Sequence, residues 1–314
     1  MQKKYFVLLL AAILILSCKS KKEKKTPDCF SPEMQINYDF VKKETDKFKA
    51  GFNNSVCDIK TIKMHFNTNH FKGIMAIALN EIVVKKCIKE LNANDKELVF
   101  KLFKEEMQSV TELINGKLYD EYSNLVDKIE NNISDNEVKS FKKCLDYCGL
   151  QLISGEGMLY ITETNYYLYK LFKGKVSYQL DQYLSMRSLE LRQGFADDAA
   201  LMISYEELYE RIISNEDFLT KYPDFFLKKE VEENQKLYLS TLLTGIENTP
   251  VFDYDNQVLL PEIKSLYEAI IAKNENRKST GIITNYYNLL KENEFKQTET
   301  IDKFMKENNL YYEE

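Results

Sequence analysis

The sequence is poor in residues that make turns and in residues that carry protons near neutral pH. Its 314 residues include no tryptophan, ten glycines, five prolines and two histidines. Because glycine and proline form most tight turns, their scarcity argues against a sandwich of many short strands and favours helices. With only His65 and His70 available as bases, a Ser-His or Cys-His nucleophile is disfavoured.

Motifs of common enzyme families are also missing. The sequence has no G-x-S-x-G, no glycine-rich phosphate loop and no H-E-x-x-H. His65 and His70 are five residues apart, which places them off a common helical face, and Cys57 is the nearest other residue of a metal-binding type. We therefore expect no metal or other cofactor, and a non-enzymatic protein is favoured over an enzyme.

One long hydrophobic run is present, and it lies at the start of the chain. Lys3 and Lys4 precede twelve apolar residues, 5–16. A membrane-spanning helix needs about 20 residues, so this run is too short to be a stable transmembrane anchor. A positive start followed by a short apolar segment is the pattern of a secretory signal peptide, which we assign to residues 1–17.

Two aliphatic residues, a small residue and a cysteine end this run: Ile15, Leu16, Ser17 and Cys18. They resemble the lipobox of bacterial lipoproteins. The resemblance implies that Cys18 becomes the mature N-terminus and is acylated, with palmitate or a similar chain, on its sulfur and its amine. Several acyl chains hold a protein firmly at a membrane, whereas one holds it weakly. The alternative is an ordinary secretory signal in which Cys18 is incidental.

A lipid anchor at Cys18 predicts a location in the cell envelope, at the outer membrane if the source is a diderm bacterium. Residues 18–30 would form the lipidated tether, in which Lys19–Lys25 holds five lysines and one glutamate. The whole chain has a formal net charge of -6, so the part from Thr26 onward is strongly acidic. A basic tether suits anionic headgroups, and an acidic body argues against nucleic acid as a partner.

Amphipathic patterns with helical spacing fill the rest of the sequence, in regions that we assign as 31–148 and 149–314. The boundary is placed at 149–157, where three glycines fall in nine residues, and a helix is expected around 158–172. An all-round apolar helix over 69–91 is expected to be buried. Pairs with the spacing of helix caps predict four helix starts: Ser31 with Glu33, Asn94 with Glu97, Ser134 with Glu137, and Ser204 with Glu207. Gly116 is expected to end the second of these helices.

The segment Asp217–Pro223 is similar to the end of a helix in tetratricopeptide-like proteins, and 268–274 echoes it without the proline. The two segments are about fifty residues apart, whereas that repeat has a period of 34 residues. The resemblance implies helical hairpins that stack side by side. The expected fold class is therefore all-α, built as a bundle or as an irregular tetratricopeptide-like solenoid.

Five cysteines remain beyond the anchor: Cys29, Cys57, Cys87, Cys144 and Cys148. Exported proteins form disulfides, but spacing does not give their connectivity. Cys144 and Cys148 lie one helical turn apart, as a redox pair or half of a metal site would. Burial as small apolar side chains is the favoured interpretation, and a disulfide from one of them to Cys87 is a further hypothesis.

Paired carboxylates are the remaining candidates for chemistry. Glu156 and Glu163 would suit general acid–base catalysis, although acids are common in the first turn of a helix for electrostatic reasons alone. Asp197 and Asp198 are interpreted as a helix start. The segment 253–257 begins like a calcium loop but has Val258 where the EF-hand needs glycine, so we reject that motif.

These features together predict a membrane-anchored lipoprotein whose helical body is a non-enzymatic binding or assembly module, with a protein of the envelope as its possible partner. Two alternatives stay open. One is an envelope enzyme with a carboxylate site at Glu156 and Glu163. The other is an immunity or inhibitor lipoprotein whose acidic body binds a basic toxin.

Overall fold

A computed structural model describes residues 36–52, 57–68, 73–155, 157–164, 166–273 and 276–310. The protein is all-α, as predicted: these residues form thirteen α-helices and three short two-stranded ladders. None of the helices in these ranges is both long enough and apolar enough to cross a membrane. The leader, Cys18 and Cys29 lie outside the described residues.

The chain divides into two compact units, one ending at Ser185 and the other beginning at Met186. The first unit holds helices α1 Tyr38–Gly51, α2 Ile59–Thr68, α3 Ile74–Cys87, α4 Ala93–Leu118, α5 Ser123–Glu130, α6 Asn136–Tyr147 and α7 Tyr167–Phe172, and strands β1 Leu150–Gly155 and β2 Met158–Glu163. Helix α8, Tyr178–Gln193, begins in the first unit and ends in the second. The division falls after Ser185 rather than in the glycine-rich segment 149–157.

The second unit continues with strands β3 Ala196–Asp197 and β4 Ala200–Leu201, helices α9 Tyr205–Lys221 and α10 Lys228–Thr244, strands β5 Gly245–Ile246 and β6 Thr249–Pro250, and helices α11 Pro261–Ala272, α12 Lys278–Glu292 and α13 Glu299–Glu307. Helix α9 packs along α10, and α12 packs against α9, α10, α11 and α13. The helix end inferred at Asp217–Pro223 is observed, since α9 stops at Lys221 and the Tyr222 N–H donates to the Phe218 carbonyl at 2.8 Å.

Helix α3 is the centre of the first unit. Twelve of its fourteen residues are buried, and it packs against α1, α2, α4 and α6. The prediction of a buried helix over this apolar stretch is therefore confirmed, with bounds shorter than the expected 69–91. A 3₁₀ turn, Ile88–Glu90, follows α3 directly.

Two buried tyrosines tie the core of the second unit together. Tyr267 of α11 donates to the Leu242 carbonyl at 2.8 Å, and Tyr286 of α12 donates to the Leu243 carbonyl at 2.9 Å. Both carbonyls belong to the last turn of α10, which has no further helical N–H groups to satisfy them. Burial raises the pKa of both phenols, so the hydroxyls stay protonated donors.

Two tight hairpins of the second unit meet at their turns. The Asn248 N–H donates to the Ala199 carbonyl at 2.9 Å, and its side-chain amide donates to the Asp198 carbonyl at 2.6 Å. Asp198 and Ala199 both have positive φ, which is typical of the turn of a two-residue hairpin. The prediction that Asp197 and Asp198 begin a helix was wrong, because this turn separates them from α9.

Several predicted helix boundaries also need correction. The cap of α4 is Asn92, which accepts from the Asp95 N–H, rather than Asn94. Gly116 lies inside α4, which ends at Leu118. The cap of α6 is Asp135 rather than Ser134. The capping box of Ser204 and Glu207 at the start of α9 is confirmed in both hydrogen bonds.

Candidate functional site

The segment 150–163 forms an antiparallel hairpin, where the sequence predicted a boundary and a helix over 158–172. Six cross-strand pairs join β1 to β2, from Leu150 with Glu163 at one end to Gly155 with Met158 at the other. Gly157 follows with φ +75°, a backbone conformation that glycine adopts without strain. Helix α7 begins only at Tyr167. Of the helix predicted around 158–172, only the six residues Tyr167–Phe172 are helical.

The two faces of the hairpin differ in burial. Leu150 and Ile161 point into the core of the unit and are fully buried. On the opposite face, Met158 and Tyr160 are 57% and 41% exposed, and the Tyr160 ring lies beside Gly155, where a Cβ would be 3.0 Å from Cε1. Ile153 is the partner of Tyr160 across the ladder, so it shares this face. The outer face therefore presents apolar side chains to the solvent.

Asn115 of α4 and Tyr119, which directly follows α4, close the outer edge of β2. The Asn115 side chain accepts from the Ile161 N–H at 2.7 Å and donates to the Ile161 carbonyl at 2.9 Å. The Tyr119 hydroxyl accepts from the Leu159 N–H at 2.5 Å. Asn115 thus bonds this strand as a neighbouring strand would, using one donor and one acceptor.

The outer edge of β1 is open. Because Leu159 and Ile161 direct their main-chain groups away from β1, their ladder partners Ser154 and Leu152 direct theirs away from β2. Within the described ranges, no hydrogen bond reaches the main-chain N–H or C=O of Leu152 or Ser154. Ser154 is exposed and Leu152 is half-buried. An edge strand of this kind binds another extended chain through main-chain hydrogen bonds.

The two carboxylates proposed for acid–base chemistry are not shown as a pair. Glu163 lies at the end of β2 opposite Leu150, about five residues or roughly 17 Å along the strand from Met158. Glu156 is outside the described residues. The catalytic interpretation of Glu156 and Glu163 stays a prediction.

Cys144 and Cys148 are both buried thiols. The Cys144 Sγ donates to the Ile36 carbonyl at 3.2 Å, and the Cys148 Sγ donates to the Ile74 carbonyl at 3.4 Å. Burial raises the pKa of Cys144 to about 12 and raises that of Cys148 well above its usual range. Since the thiolate is the reactive and metal-binding form, both side chains are suited to packing rather than to redox chemistry.

The disulfide that forms is Cys57–Cys87, so the hypothesis of a bond from Cys87 to Cys144 or Cys148 was wrong. The Cα atoms of Cys57 and Cys87 are 4.9 Å apart, within the range that a disulfide spans. Cys87 ends α3, and Cys57 lies just before α2. The bond therefore links the two ends of the segment 57–87. No rule of cysteine spacing would have identified Cys57 and Cys87 as partners.

His65 is a packed side chain of α2. Its ring lies 5.4 Å from the Phe48 ring and 6.5 Å from the Phe66 ring, measured between centroids. Its buried Nε2 has no hydrogen-bond partner among the described residues, and burial lowers its pKa to about 4. His70 lies outside the described residues. Throughout the described ranges, no three His, Cys, Asp or Glu side chains are grouped to hold a metal ion.

A buried polar cluster in the second unit was missed from the sequence. The Arg211 Nη2 donates to the Gly194 carbonyl at 2.6 Å, and to the Gln193 Oε1 at 3.3 Å. Its guanidinium lies 5.7 Å from the centre of the Tyr238 ring. Arg211 is 6% exposed. A cation at the last carbonyls of α8 neutralises the negative end of the helix dipole, so its main effect is to fix that helix end.

Glu190 adds a carboxylate to the same cluster, and Arg187 pairs with its Oε2 at 2.5 Å. Five buried polar atoms of this cluster have no hydrogen-bond partner among the described residues. They are the other carboxylate oxygen of Glu190, the Nε and Nη1 of Arg211, and the side-chain Oδ1 and Nδ2 of Asn215. No periodic or motif signal marks these residues in the sequence. A charged residue at a core position of α9 is the one feature that would have drawn attention to Arg211.

The loop that follows β6 begins with a turn around the Asp253 carboxylate. The Asp253 Oδ1 accepts from the N–H groups of Asp255 and Asn256 at 3.0 and 3.1 Å. An aspartate that accepts from the next residues forms an Asx turn.

Comparison of the chain with models of protein families, with curated proteins and with solved structures found no match.

Proposed function

We propose that this chain is a bacterial lipoprotein of the cell envelope, anchored through acylated Cys18, and that its all-α body is a non-enzymatic binding or assembly module. The observation that carries the proposal is the sequence Ile15-Leu16-Ser17-Cys18, which follows a twelve-residue apolar run and precedes a lysine-rich tether. Multiple acyl chains on Cys18 would hold the body at the membrane surface.

Two features of the described residues support this assignment. The Cys57–Cys87 disulfide fits an oxidising compartment outside the cytoplasm. The hairpin of the first unit combines an open strand edge with an exposed apolar face, both of which favour binding to a protein.

The test is metabolic labelling with an alkyne fatty acid in bacteria that express the full chain. We expect label on the wild type and on Cys29→Ala, and none on Cys18→Ala. Cys29→Ala is the matched control, because it removes a cysteine eleven residues away without touching the lipobox-like residues. Label that persists on Cys18→Ala would refute the anchor. Membrane fractionation of the same cells accompanies the labelling.

A further inference from the structure

Strand β1 carries neither of the two residue types that protect a strand edge, a charged residue or a proline, although α6 packs against the strand. Its six residues, Leu-Gln-Leu-Ile-Ser-Gly, include no charge and no proline. Natural edge strands are blunted by lysine, by proline or by a covering element. The edge of β2 is covered by Asn115 and Tyr119, so the contrast between the two edges lies within one hairpin.

The apolar face beside this edge extends the same surface. Ile153, Met158 and Tyr160 share the outer face of the hairpin, and the latter two are more than two-fifths exposed. A strand added to β1 would place its own alternate side chains next to Ile153. Main-chain bonding at the edge and apolar contact on the face would therefore act together.

Charge indicates which strand fits. The six residues of β1, Leu-Gln-Leu-Ile-Ser-Gly, carry no charge. Charged side chains of an added strand would therefore find no counter-charge on this strand. An uncharged strand with alternate apolar residues is the complement, and β1 itself has this composition. Two antiparallel copies related by a two-fold axis present the same groups to each other.

We propose that β1 pairs edge to edge with β1 of a second copy of this chain. The pairing joins the two hairpins into a four-stranded antiparallel sheet and uses the outward main-chain groups of Leu152 and Ser154. The apolar row of Ile153, Met158 and Tyr160 then lies on one face of that sheet in both copies. The pairing does not depend on acylation of Cys18.

The test is photo-crosslinking of the full chain in cells, with a photoreactive amino acid in place of Met158. Two differently tagged copies are expressed together, so that a homodimer carries both tags. We expect a cross-linked species of about twice the mass of the monomer in the Ser154→Ala background, which keeps the main-chain N–H. In the Ser154→Pro background, which removes it, we expect at least a tenfold loss. A probe at Lys303, an exposed residue of α13, is the control and should give no dimer.

Circular dichroism decides whether Ser154→Pro is folded, and an edge position tolerates proline because its N–H does not bond β2. If that variant fails to fold, Ser154→Lys provides the same test by placing a charge on the edge of each copy. Cross-linking that is equal in the alanine and in the folded proline or lysine backgrounds would overturn the proposal. A cross-link only to a different protein, or none at all, would also overturn it.

Discussion

Removal of the Cys57–Cys87 disulfide is expected to weaken the first unit by a measurable amount. The bond closes a segment of 30 residues, and the loop-closure entropy of a chain of that length corresponds to about 3 to 4 kcal/mol at 25 °C. Cys87 is 1% exposed and Cys57 is half-buried. The double variant Cys57→Ser, Cys87→Ala therefore avoids a buried hydroxyl and isolates the effect of the cross-link.

The assay is urea unfolding of the purified chain, followed by circular dichroism, with and without a reductant. We expect the free energy of unfolding of the first unit to fall by about 3 to 4 kcal/mol, and the reductant to act on the wild type only. Cys144→Ala is the control, since it deletes a buried thiol that takes part in no disulfide and should leave the reductant effect intact. A loss below about 1 kcal/mol, or a reductant effect that survives in the double variant, would refute this account of the bond.

Three further perturbations have defined outcomes. Burial lowers the pKa of His65 from 6.5 to about 4, so between these pH values the folded state binds fewer protons than the unfolded state. Unfolding experiments at a series of pH values should therefore show full stability above pH 6.5 and a loss of about 3 kcal/mol as the pH falls to 4. The same loss in a His65→Gln variant would contradict this. Gly149→Ala should reduce stability in thermal melts by about 2 to 4 kcal/mol, since Gly149 has φ +71° and an added Cβ would lie 2.0 Å from the Tyr167 ring. The control Gly157→Ala should cost only about 1 kcal/mol, because Gly157 has φ +75° but no neighbour within 4 Å. Equal losses in the two variants would show that the contact with Tyr167 is unimportant. Arg211→Met should destabilise the second unit by about 2 to 4 kcal/mol in urea unfolding, because it leaves the carbonyls at the end of α8 without the guanidinium donor. An unchanged urea midpoint of unfolding would show that Arg211 does not stabilise this helix end.

Helices were predictable from the sequence where apolar residues recur with helical spacing, where a long segment is apolar all round, or where a capping pair is present. The buried helix α3 and the capping box of Ser204 and Glu207 follow from residue type and spacing alone. Caps were less secure, because Asn92 and Asn94 are equivalent in chemistry and only the backbone shows which one accepts from an N–H. Gly116 was taken for a helix end, yet the packing of α4 carries the helix through it.

The hairpin of β1 and β2 was not predicted, although its residues hold a signal. Two short and largely apolar runs, 150–153 and 158–161, are separated by a short segment that contains two glycines, and this arrangement fits a hairpin. The glycines were interpreted as a boundary instead. The closure of the β2 edge by Asn115 had no sequence signal, because it depends on a contact across 46 residues.

The sequence also predicted some features of the candidate site residues and not others. Burial of Cys144 follows from its position on the apolar face of α6, and Cys148, one turn further on, directly follows the end of that helix. The pairing of Cys57 with Cys87 and the burial of Arg211 at the end of α8 depend on tertiary contacts, which neither spacing nor composition specifies.

The lipid anchor is tested most directly by mass spectrometry of the N-terminal peptide from the protein isolated from its membrane. The account predicts a peptide that begins at Cys18 and carries acyl chains on the Cys18 sulfur and amine. A peptide that begins elsewhere, or an unmodified Cys18 at the mature N-terminus, would contradict it.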